Sequence, residues 1–263
     1  MKLCYQMDEK YEMVRVAARE FAEGEIKPVA GELDEKEEFS VSLTQQMGDI
    51  GLFGMTVSEA HGGQGLDYIS YIIAVEEIAR VDGSQAATLA AGHSLGIDPI
   101  DKFGSESQRR KYLPDLCQGK TLMGFGLTEP NAGSDAGATS TAAVKEGDSW
   151  VINGRKTMTT NANTPITKGS MVQAVTGARP DGKPDYTCFI VENGTPGFTL
   201  NTMKRKLMWR GSNTAELFFN NCRVPSDAVL GNPGDGFKQM LATLDGGRLS
   251  IAAMGIGCAQ GAY

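Results

Sequence analysis

The residues best suited to chemistry lie in Leu127-Thr128-Glu129-Pro130-Asn131-Ala132-Gly133-Ser134-Asp135, a run of small and polar types directly after a strand-like segment. Such a loop exposes backbone N–H groups, and Gly133 lets the chain approach a ligand closely. This fits an anion- or cofactor-binding loop, and it also fits an ordinary Pro/Gly/Asn turn. The glycines lack GxGxxG spacing and no helix follows, so a dinucleotide-binding βαβ unit is not supported. A second cluster, Met158-Thr159-Thr160-Asn161, falls where a strand should run out at a sheet edge, offering two hydroxyls or merely β-branched filler. The third candidate is Arg248, predicted on the same helical face as Leu241, Leu244 and Ile251. A cation there would be costly to bury unpaired, and Asp245, three residues earlier, is placed to form a local salt bridge.

Other chemistries fit poorly. The only histidines, His61 and His93, accompany no recognisable Ser or Cys nucleophile signature, and His61 sits in a Gly-rich loop that reads as a connection. Metal-ligand spacing is absent. Cys4, Cys117, Cys188, Cys222 and Cys258 are odd in number and widely spaced, as expected of reduced, mostly structural thiols. A net charge of −7 without a basic stripe argues against nucleic acid as a partner. Neither a signal peptide nor a membrane-length apolar run is evident, which makes the cytoplasm the default expectation.

The elements that must position these residues change in character along the 263 residues. From Asp8 to Lys27, Tyr11, Val14, Ala18 and Phe21 recur at helical spacing, and Pro28 is expected to stop the run. Further helices are predicted over Ser40–Ile50, after an Asp67 cap, over Ser84–Ile97, and from a Ser105–Gln108 capping box toward Leu116. After Gly119, β-branched and aromatic runs predict strands over 122–127, 139–146, 150–152, 155–158, 171–175, 186–191, 216–219 and 222–224. Asn153-Gly154 reads as a hairpin turn. At Gly236 the period becomes helical again, with Phe237, Met240, Leu241, Leu244, Arg248 and Ile251 on one side. The expected class is α+β: an N-terminal helical domain (1–119), a middle β-barrel or sandwich domain (120–233) and the start of a C-terminal helical bundle (234–263).

LTEPNAGSD, WVINGRK, RGSNTAELFF and LDGGRLSIAA, in this order, resemble the motifs of the acyl-CoA dehydrogenase family, and the resemblance spans essentially the whole chain. GFGLTEPNAGSD and LDGGR are most similar to the short-chain, butyryl-CoA-oxidising branch. The resemblance implies a helical, a β and a second helical domain enclosing FAD, assembled as tetramers or dimers. It implies that Phe125, Leu127 and Thr128 line the isoalloxazine ring, with Thr128 bonding its pyrimidine edge. Gly133 belongs to the same cofactor loop, and Ser134 would meet the FAD pyrophosphate or nearby acyl-CoA. Thr160, with the backbone around Met158 and Thr159, would address flavin N5 and O4. Asp245 and Arg248 would face the CoA thioester.

The implied reaction removes an α-proton to a carboxylate while hydride leaves the β-carbon for the flavin, giving a trans-2-enoyl-CoA. Electrons then pass to an electron-transferring flavoprotein. The family's Glu base is expected beyond Tyr263, so a truncated, non-catalytic binding or assembly module is one alternative and an acyl-CoA oxidase another. Met158 departs from a usually aromatic position, and residues 163–168 extend the following loop. Asp98 is expected either near the acyl pocket or as the cap of a short helix.

Overall fold

Apolar spacing draws the first part of the chain into seven helices in this computed structural model, which describes residues 7–263. They are α1 (Glu9–Phe21), α2 (Lys27–Lys36), α3 (Val41–Asp49), α4 (Tyr68–Ala79), α5 (Gly83–Ala91), α6 (Asp98–Phe103) and α7 (Glu106–Cys117). Four of them, α3, α4, α5 and α7, start at side chains that satisfy orphan backbone donors. Ser40 accepts from Leu43, Asp67 from Ser70 and Asp82 from Ser84, while Ser105 and Gln108 form a full capping box. The expected stop at Pro28 does not occur. Ala22–Ile26 form a π-helical turn and α2 runs on with Pro28 in its first turn, where a missing N–H is harmless. A second π turn, Gly92–Ile97, joins α5 to α6.

Seven strands follow: β1 (Leu122–Gly126), β2 (Ala142–Glu146), β3 (Ser149–Thr160), β4 (Thr167–Ala178), β5 (Pro184–Glu192), β6 (Phe198–Thr202) and β7 (Thr214–Pro225). They form one curled mixed sheet in the order β1-β4-β2-β3-β7-β6, with β5 on β4 and β1 parallel to β4. Trp150, Ile152, Phe189, Phe198, Leu217 and Phe219 fill its inner face. Asn153-Gly154 is not a hairpin turn. It is a bulge inside β3, where Ile152 pairs with Cys222 and Gly154 with Phe219. Gly154 has φ 145, and a Cβ there would stand 2.7 Å from Thr141 Cα. The β2–β3 turn falls at Gly147, with φ 60. Asn221, at φ 49, answers from β7, so the two predicted runs at 216–219 and 222–224 are one strand. Tolerance of positive φ serves a bulge as readily as a turn.

The last element, α8 (Gly236–Ala262), packs along α4. Of the apolar face read from the sequence, Met240 is buried and Phe237 and Leu244 are half-buried, while the rest stays open. Leu241, Arg248 and Ile251 are exposed, whereas Gly236, Met240, Thr243, Gly247, Ser250, Met254 and Gly257 are buried. Small residues let two helix backbones approach until no side chain fits between them. A Cβ on Gly257 would overlap the Glu76 carbonyl oxygen, and one on Gly261 that of Arg80. Of the cysteines, Cys117, Cys188 and Cys222 are buried free thiols and Cys258 is exposed, so that one is not structural; Cys4 lies outside the described residues. Among the described residues no helix is long and apolar enough to cross a membrane.

Candidate active site

Small residues on two facing helices leave room between them. Ala87, Ala90 and Ala91 of α5 and Gly247 of α8, with Leu244, Ile251 and Trp209, wall a cavity of about 310 Å³ that reaches Thr160 at the end of β3. Ser94 and Ser250 also line it, but their hydroxyls donate to the carbonyls of Ala90 (2.7 Å) and Gly247 (2.9 Å) on their own helices. The space is therefore apolar apart from Thr160 at one end and Arg248 at the rim.

The strand end at Thr160 is irregular. Pairing of β3 with β7 breaks between Lys156 and Thr159, and within the break Met158 adopts φ 56 and is 65 % exposed. Thr159 and Thr160 then pair with Ala215 and Thr214, so the cluster ends a central strand rather than lying on a sheet edge. Asn161 has φ 60. Left-handed conformations of non-glycine residues cost about 1–3 kcal/mol and persist where the surroundings over-determine them. Here the Asn161 side chain does so, donating Nδ2 to the Thr88 carbonyl of α5 at 3.0 Å. Its Oδ1 is buried with no protein partner.

The other predicted residues fall into two groups. Phe125 and Leu127 are buried and Thr128 half-buried; the Thr157 N–H donates to the Thr128 carbonyl at 2.8 Å, which lays the β1 exit beside the bulged end of β3. The Thr159 side chain is buried in the sheet, its methyl 3.0 Å from where a Cβ on Gly124 would stand, and its hydroxyl has no protein partner. Gly133 and Ser134 are exposed on the loop, away from the cavity, and a Cβ at Gly133 would meet nothing within 4 Å. Asp245 and Arg248 face solvent and pair with each other, so the local salt bridge is what forms.

Asp98 neither lines the cavity nor caps α6, whose N-cap is Ile97. Its buried carboxylate accepts from the Tyr68 hydroxyl and from Lys102 at 3.1 Å. Nearby, His93 is fully buried with its ring 4.1 Å from that of Tyr71, and burial pushes its pKa down to about 4. Sequence reasoning missed Trp209, which no motif flagged, and the buried pair Glu129–Lys156. No sequence signal marks that pair: in the structure Lys156 is buried, while its neighbours Arg155 and Thr157 are exposed and half-buried. Among the described residues no His/Cys/Asp/Glu group could hold a metal ion.

Residues 8–120 match the family model for the N-terminal domain of acyl-CoA dehydrogenase, and residues 124–222 match that for its middle domain. The chain belongs to the acyl-CoA dehydrogenase family. It is 46% identical over 258 residues to the probable acyl-CoA dehydrogenase YngJ of Bacillus subtilis, covering 98% of this chain and 67% of that protein. It is 43% identical over 259 residues to the short-chain specific acyl-CoA dehydrogenase of Clostridium acetobutylicum, covering 98% and 68%. Among solved structures, butyryl-CoA dehydrogenase from Megasphaera elsdenii matches with TM-score 0.92 at 38% identity, over 99% of this chain and 68% of that one. A chain from a study of the electron transferring flavoprotein of Acidaminococcus fermentans and flavin-based electron bifurcation matches with TM-score 0.92 at 40% identity, over the same shares. Glutaryl-CoA dehydrogenase of Mycobacterium smegmatis in complex with FADH2 matches with TM-score 0.90 at 30% identity, over 97% and 64%. The chain thus spans about two thirds of the length of these acyl-CoA dehydrogenase relatives.

Proposed function

We propose that the protein uses FAD to oxidise a short-chain acyl-CoA to its trans-2-enoyl-CoA and passes the electrons to an electron-transferring flavoprotein. The observation that carries this is the apolar cavity between α5 and α8 ending on Thr160 at the bulged end of β3. Similarity to short-chain and butyryl-CoA dehydrogenases supports the substrate class, and the Acidaminococcus neighbour supports the electron partner.

The residues present fit FAD. The Phe125–Thr128 and Met158–Thr160 segments lie side by side, one mostly apolar and one carrying hydroxyl and main-chain donors. Bound there, the flavin supplies the hydride acceptor. The Thr160 hydroxyl would hydrogen-bond the edge where charge develops on reduction, and the alanine-lined wall would keep water from the acyl carbons. Arg248, which borders the cavity, would face the polar thioester and CoA end. No carboxylate lines the cavity among the described residues, so the reading assigns the proton-accepting base to none of them.

Thr160→Val tests this. Loss of one hydrogen bond should weaken FAD binding or slow flavin reduction by butyryl-CoA by roughly 1–3 kcal/mol. Unchanged affinity and an unchanged reduction rate would remove Thr160 from the site.

A further inference from the structure

Glu129 and Lys156 form an ion pair of 2.8 Å whose side chains are 3% and 0% exposed. Desolvation offsets most of the attraction in such a pair, and a well-packed apolar pair of similar volume often stabilises a fold as well or better. Stability alone therefore does not explain two charges at this place. Their directional bonds do. Lys156 Nζ also donates to the Leu127 carbonyl at 3.2 Å, while the Glu129 carboxylate accepts from Ser140 N (2.8 Å), Ser140 Oγ (2.6 Å) and Thr141 N (3.0 Å). The lysine stem reaches them past Gly126, where even a Cβ would stand only 3.3 Å from Lys156 Cγ.

These bonds bracket the two segments that meet the flavin in the function proposed above. Leu127 and Glu129 flank Thr128, and the Thr128 carbonyl accepts from Thr157, the residue after Lys156 and the one before the left-handed Met158. A single side chain thus ties the β1 exit to the start of the β3 bulge. Burial works against the Glu129 carboxylate, but Lys156, Ser140 and Thr141 outweigh it and hold the group at about 2, so it is ionised at neutral pH.

Resting on the FAD reading, we propose that the buried Glu129–Lys156 pair is a positioning device for the flavin. It locks the Thr128 segment against the Met158–Thr160 segment, so that hydrogen bonds to the flavin's pyrimidine edge and to N5 are set together.

The test replaces both charges at once, Glu129→Gln with Lys156→Met, which leaves neither group ionised without a partner. In the reconstituted holoprotein the FAD dissociation constant should rise at least tenfold, with a shifted flavin reduction potential and an altered visible spectrum. The melting temperature of the FAD-free protein should stay close to the parent's. Ser140→Ala, which removes one donor to Glu129 from an exposed position, is a milder variant that retains the fold and should weaken FAD binding several-fold. Parent-like affinity and potential in the double variant, or in Ser140→Ala if the double variant does not fold, would overturn the proposal. A parent protein that binds no FAD would instead overturn the flavin reading, and the positioning role with it.

Discussion

Gly257→Ala should destabilise the protein, although alanine is the better helix former. At Gly257 a Cβ would overlap the Glu76 carbonyl oxygen and stand 2.7 Å from Ala79 Cβ and 3.1 Å from Arg80 N. The obstacle is mostly α4 backbone, which cannot swing aside as a side-chain tip can, so α8 must lift away and lose contacts along its packed face. Overpacking of this kind costs about 1–3 kcal/mol, and a rigid obstacle places it toward the upper end. Replacing glycine by alanine inside a helix returns about 1 kcal/mol. The net loss is then about 1–2 kcal/mol. Gly255, two residues away on the same helix, meets nothing within 4 Å, so Gly255→Ala should instead gain up to about 1 kcal/mol. At roughly 2–4 °C per kcal/mol for a chain of this size, the two variants should melt about 2–12 °C apart. Thermal unfolding followed by circular dichroism, with urea midpoints as a check, reads the difference. If both variants shift stability in the same direction, the close approach of α8 to α4 is not what the structure describes.

Two further outcomes follow from buried and exposed charge. His93 has its pKa lowered from 6.5 to about 4 by burial, with Asp98 opposing and Lys102 assisting. The unfolded chain therefore takes up the proton first: stability is fully present above about pH 6.5 and is lost as pH falls toward 4, by up to about 3 kcal/mol. His93→Gln should flatten that slope in urea midpoints taken across the window, and an unchanged slope would mean that His93 is not held neutral. Arg248 and Asp245 pair with side chains 72% and 69% exposed, so Arg248→Ala should change stability by less than about 1 kcal/mol. Its place at the cavity rim predicts a several-fold higher KM for acyl-CoA with kcat little altered; an unchanged KM would confine Arg248 to the surface.

What was legible in the sequence was mostly local. Ser40, Asp67 and Ser105 announce helix starts because a capping oxygen needs only its own next three residues. The Met158–Asn161 cluster was legible as polar residues at a strand end, and the alanines of α5 as close packing. Long-range choices were not. Periodicity marked Leu241, Leu244 and Ile251 as an apolar face because it weighs large apolar side chains, and Leu241 and Ile251 do stay exposed; the face that packs is lined by Gly236, Gly247 and Gly257, to which periodicity is blind. Asn153-Gly154 misled for a related reason: sequence shows that φ can be positive, and only the facing Asn221 decides between a turn and a bulge. Lys156 reads as a surface residue until the strand carrying Glu129's loop is placed beneath it.

The burial of α4 has a consequence for biosynthesis. One side of that helix is covered by α1, which leaves the ribosome before it, and the other by α8, which emerges only after the whole sheet has been made. At roughly 5–20 residues per second, the interval between Ala79 and Gly236 lasts on the order of ten seconds. Throughout it, a nearly continuous row of isoleucine, valine and alanine on the nascent chain lacks its final neighbour. The same delay applies to the cavity, whose walls come from residues near 90, 160 and 247 and exist only once α8 arrives. A chaperone that shields α4 during this window should therefore raise the yield of soluble protein more than one that acts after release.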